Sequence, residues 1–159
     1  ALKLLLSNIE NTPVAFHRAF EEVPDYKKAM DTLKKYPKIN RVLTTFGSKD
    51  LKKDISKIKE YLDYAKSIDL NIIIGGGVNL DNLEILVKET KIQQIHIGSA
   101  AKINRNPILD LDPEAVEKII CNRNSGKPEP GTSVAFNLCI ERNTYRLWGS
   151  LRIRSRSLL

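Results

Sequence analysis

The chain has 159 residues, is 42% hydrophobic and 28% charged, and carries a net charge of +7. This is the length of one domain and the composition of an ordinary globular protein, which argues against a fibrous or disordered chain. No apolar run approaches the length that crosses a bilayer, so a membrane-spanning helix is excluded.

The opening stretch Ala1–Ser7 is too short for a secretory signal, and it lacks an initiator Met, so the chain reads as a fragment. Cys121 and Cys139 form no C-x-x-C pair and no disulfide framework, which points to a cytoplasmic protein. The charge is unevenly placed. Residues 122–159 hold seven basic groups against two acidic ones, and the basic residue changes there from mostly Lys to mostly Arg. A composition break near Asn122 therefore divides the chain into a folded body, 1–121, and a basic extension, 122–159.

Leu2–Ile9 is apolar and helix-compatible, and Asn11-Thr-Pro13 breaks it. Val14–Phe20 begins as a strand and ends in polar residues. Pro24 and Asp25 open a helix through Tyr36, with Ala29, Met30 and Leu33 as its apolar stripe, and Pro37 stops it. Arg41–Gly47 is the second strand, followed by Ser48 or Asp50 as a cap. Leu51, Ile55, Ile58, Leu62 and Ala65 recur at helical spacing. The run from Asn71 to Gly77 is a third strand without polar alternation, the pattern of a strand buried on both faces. Leu80, Leu83, Leu86 and Val87 mark the next helix, Gln94–Ser99 a fourth strand. Asp112 and Pro113 cap a last helix through Ile120.

The order is four βα units of parallel type, an α/β protein that is either doubly wound or half of an eight-stranded barrel. Beyond Asn122 the pattern fails. Ser125–Gly131 resembles a linker, Ser133–Ile140 is strand-like by propensity, and Arg152–Ser157 alternates arginine with other residues. The extension reads as irregular and solvated rather than as a nucleic-acid arm.

Chemistry is expected where the strands end. Gly75, Gly76 and Gly77 allow positive φ and close approach of a ligand, and the helix that starts near Asn79 points its N-terminal N–H groups into the same space. Gly98 and Ser99 make a second small-residue loop, and the two loops together suit an anion, phosphate above all. The G-x-G-x-x-G dinucleotide spacing is absent. The two histidines, His17 and His96, sit near C-terminal strand ends. Alternation sets both opposite the helix-facing residues, where they converge on the barrel axis as general acid and base or as metal ligands. Arg18 anchors an anion or pairs with Glu21 or Glu22. Thr44 and Thr45 donate hydroxyl bonds to a ligand or cap a turn.

Four blocks taken together, Phe16-His-Arg-Ala-Phe-Glu21, Arg41-Val-Leu-Thr44, Gly75-Gly-Gly-Val78 and Ile95-His96 with Gly98-Ser-Ala100, resemble the CutC copper homeostasis family over about Pro13 to Ile120. The resemblance implies a TIM-like barrel of which these are the last four units, a cytoplasmic location, and copper as the bound ion. Copper(I) favours Cys and Met donors, yet Cys121 ends a helix, Cys139 lies in the extension and Met30 is mid-helix. The cysteines proposed as ligands in relatives lie in the half not seen here, so the resemblance carries over no copper ligand set. Two further readings stand beside the family role. One is a barrel enzyme for a phosphorylated small molecule, with His17 and His96 in acid–base roles. The other is an incomplete, non-functional barrel whose open sheet edges drive self-association.

Overall fold

The computed structural model describes residues 2–10, 12–124 and 135–138, with side chains through Ile119. Helices α1 (Leu2–Ser7), α2 (Tyr26–Lys34), α3 (Ile55–Ser67), α4 (Leu80–Thr90) and α5 (Pro113–Asn124) alternate with strands β1 (Val14–Phe16), β2 (Ile39–Thr44), β3 (Asn71–Gly75), β4 (Gln94–Ile97) and β5 (Ala135–Leu138). Every strand pair is parallel, and the order in the sheet is β1-β2-β3-β4-β5.

That order never reverses. A doubly wound sheet must reverse to put helices on both faces. Crossovers of one hand laid down in one direction place every helix on the same face, as in a barrel. The packing agrees. Val42, Ile72, Ile74, Ile95 and Ile97 join Met30, Leu33, Ile58, Leu83, Leu86 and Ile119 in one apolar core, whereas Ile73, also buried, faces away from it. Four of these parallel βα units are those of the expected TIM-like fold.

The helix ends explain where the elements start. Asp25 caps α2 by accepting from the Lys28 N–H at 3.0 Å. Asp112 accepts from the N–H groups of Glu114 and Ala115 and caps α5, as its position before Pro113 predicts. Two expectations are corrected here. The third helix begins at Ile55 rather than Leu51, because Asp50 spends its carboxylate on the N–H groups of Lys52 and Lys53 in the preceding turn. The last helix runs on to Asn124, across the composition break near Asn122. Strand β3 stops at Gly75, since Gly76 and Gly77 take φ of +118° and +79°.

The strand-like propensity of Ser133–Ile140 is realised in part. Ala135–Leu138 pairs with β4, Ile95 opposite Phe136 and His96 opposite Asn137. The extension is therefore not irregular at these four residues; 125–134 and 139–159, with Cys139 and the arginine-rich end, lie outside the described residues.

Core and surface separate clearly. Ile74 is fully buried at the centre of the sheet, whereas Leu5 on α1 is 65% exposed. In urea unfolding, Ile74→Ala is expected to cost about 3 kcal/mol, and Leu5→Ala to stay within about 0.5 kcal/mol of the parent.

Candidate functional site

The C-terminal strand ends carry two linked structures. The first grows from the turn after β1. Phe20 is buried against Tyr26 and Phe46, with ring centroids 5.4 and 6.3 Å away, and Phe46 meets Tyr61 at 4.9 Å. This aromatic cluster seats the short 3-10 turn Arg18–Glu22 on the end of β2. The turn then places Glu21 beside Thr44 and Thr45, both fully buried.

Glu21 is the centre of this region. Its Oε1 accepts from Thr44 Oγ1 at 3.1 Å, Thr45 N–H at 2.5 Å and Thr45 Oγ1 at 2.7 Å. Its Oε2 accepts from Arg18 Nε and Nη2 at 3.0 and 2.7 Å. Burial pushes the carboxyl up; the bonds from Arg18, Thr45 and Thr44 outweigh it and bring the group from its ordinary 4.5 to about 2. Of the two partners expected for Arg18, the structure selects Glu21. Thr44 is committed as well, since it also accepts from the Phe46 N–H at 2.8 Å. Capping, rather than a free ligand donor, is its observed role.

The second structure is a cleft of about 260 Å³. The loop Gly76–Asn79 lines it from β3, and His96 with Gly98–Ala100 lines it from β4. The two glycine loops expected to act together thus share one space, with His96 in it. Gly75 makes the approach possible: a β-carbon there would lie 2.6 Å from Leu43 Cδ1 and 2.7 Å from His96 Cβ. Arg105 also lines the cleft, from a 3-10 turn held in left-handed backbone at Asn104 and Arg105. It pairs with Asp81 at 3.6 Å.

Two expectations change. The start of α4 does not offer all of its N–H groups, because Asn79 Oδ1 accepts from Asp81 and Asn82 at 2.9 and 3.2 Å while Asn82 Oδ1 accepts from Asn79 N–H. The helix keeps its dipole but has already bonded two donors. The histidines do not converge. His17 is exposed, and its Nδ1 accepts from the Ala19 N–H at 2.9 Å as the cap of the 3-10 turn. It follows β1, three strand spacings from β4, roughly 14 Å along the sheet. Among the described residues, no group of three His, Cys, Asp or Glu is placed to hold a metal ion, and Met30 is buried in the core. These residues do not fit a copper site.

The sequence singled out the glycines, His96, Arg18 and Thr44. It missed Arg105, which no local pattern ties to the glycine loops, and treated Glu21 only as a surface partner. The spacing of Asn79 and Asn82 is a capping-box signal that could have shown the helix start to be occupied.

Because Glu21 titrates lower in the folded chain than unfolded, its contribution is complete above pH 4.5 and is lost as pH falls toward about 2. Glu21→Gln is expected to cost about 1–3 kcal/mol at neutral pH and to flatten this part of the acid limb in urea midpoints measured between those pH values.

The sequence model of the CutC family matches residues 1–101. A copper homeostasis protein cutC homolog from Dictyostelium discoideum is 29% identical over 103 residues, covering 54% of this chain and 37% of its own. A family protein CutC from Treponema denticola is 31% identical over 109 residues, covering 69% and 43%. The crystal structure of a CutC from Streptococcus agalactiae is similar with a TM-score of 0.54 and 31% identity, covering 60% of this chain and 46% of that one. The chain spans less than half the length of each of these relatives. Among the described residues no helix is long and apolar enough to cross a membrane. With a family match over 1–101 and the same barrel-type fold in a solved relative, the chain belongs to the CutC family.

Proposed function

We propose that this chain serves copper homeostasis as a cytoplasmic protein of the CutC type that binds copper or hands it on. Family membership carries this reading, with the Dictyostelium discoideum relative, a copper homeostasis protein cutC homolog, beside it. The described residues supply no ligand set, so no step through copper is assigned to them. Copper(I) titrated into the whole chain against a chelator of known affinity tests the reading. Copper retained by the chain, and lowered when its histidines and cysteines are replaced, is expected. A chain that never competes with the chelator overturns it.

A second reading has its own observation, the shared cleft. Gly76, Gly77, Gly98, Ser99 and Arg105 surround a space the size of a small anion with a small body attached, at the sheet edge where parallel α/β proteins bind ligands. His96 stands in that space and is the residue for proton transfer to a bound phosphorylated molecule; His17 lies outside the cleft lining. In this reading inorganic phosphate stabilises the fold. At ten times its Kd it contributes about 1.4 kcal/mol and raises the melting midpoint by about 5 °C. Arg105→Gln removes that rise without lowering the midpoint measured in chloride at equal ionic strength. No rise in the parent chain excludes the anion reading.

A further inference from the structure

A half-exposed arginine normally samples many rotamers, and holding it in one costs entropy. Arg18, with a side chain 51% exposed, is held all the same. A chain of bonds runs from the buried end of β2 through Thr44, Thr45 and Glu21 to its Nε and Nη2. The guanidinium lies flat against the glycine loop: a β-carbon on Gly76 would come within 2.8 Å of Nη1 and 2.9 Å of Cζ. The ion pair with Glu21 does not need that contact, since residues three apart on one turn meet without it. Gly76 is also a wall of the cleft. Among the described residues Nη1 donates to no protein acceptor; Arg18 is not itself one of the residues lining the cleft and meets its edge across Gly76.

Resting on the anion reading of the cleft, we infer that Arg18 is a ligand-binding residue there, that Glu21 positions it, and that Arg18 and Arg105 together select a doubly charged phosphate group over singly charged anions. The selection follows from charge. Glu21 stands behind Arg18, and Asp81 lies 3.6 Å from Arg105, so each guanidinium presents only part of its charge to an incoming anion. A monoanion then gains little on entering. A phosphate dianion brings twice the charge and three acceptor oxygens, enough to take bonds from both guanidiniums and from the glycine loops at once. Gly76 must lack a side chain for Arg18 to stand where it does.

The test titrates the whole chain calorimetrically with methylphosphonate and with methanesulfonate, at constant ionic strength and above the second ionisation of the phosphonate. The two probes share a shape and differ by one charge. The parent is expected to prefer methylphosphonate by about tenfold or more, and Arg18→Gln and Glu21→Gln each to weaken that ligand about tenfold and bring the two probes near parity. Because Glu21→Gln disturbs a buried network, Arg18→Lys is measured as well; it keeps the charge, loses the planar fork, and should lose most of the preference. If the parent binds methylphosphonate and both Arg18 variants bind it equally well, this inference fails and the cleft reading stands. Equal affinity of the parent for both probes overturns the charge selection. A parent that binds neither overturns both readings.

Discussion

One face of the central strands is committed to isoleucine and valine, and the remainder of the fold follows from covering it. Val42, Ile72, Ile74, Ile95 and Ile97 point the same way and are buried to within a few per cent. Water is excluded from that face only if a helix follows each strand and returns over it, which forces the strands parallel. Laid down in order without reversal, the helices all land on one side. The strand ends on the C-terminal side are then left with the loops, and it is there that glycines, arginines and a histidine collect.

At that edge the chemistry is arranged by compensation. A carboxylate as buried as that of Glu21 stays ionised because five donors meet it, and it in turn fixes a guanidinium that would otherwise be mobile. Arg105 is offset by Asp81, and the first donors of α4 are taken up by Asn79. The positive charge beside the cleft is thus partly offset, and with it a ligand would meet close backbone approach at Gly76, Gly77 and Gly98 and nitrogen donors held at set places. Copper chemistry needs soft or clustered donors, which the described residues do not bring together.

The sequence by itself determined the element order, the parallel α/β class and the pairing of the two glycine loops with His96. Each of these rests on local signals, namely period-two burial on strands, helical spacing of Leu and Ile, and glycines directly after an apolar run. The cap at Asp112 was equally local. Only the tertiary structure decided what happens between segments distant in the chain. Thr44 and Thr45 stand 23 and 24 residues from Glu21, and no spacing rule connects them. His17 left the barrel-facing set because its ring nitrogen capped its own turn and because β1 lies three strands from β4. Arg105 reached the cleft through a left-handed turn that an arginine rarely enters. Backbone periodicity is written residue by residue, but convergence of side chains depends on where whole strands and loops are set down, and packing alone decides that.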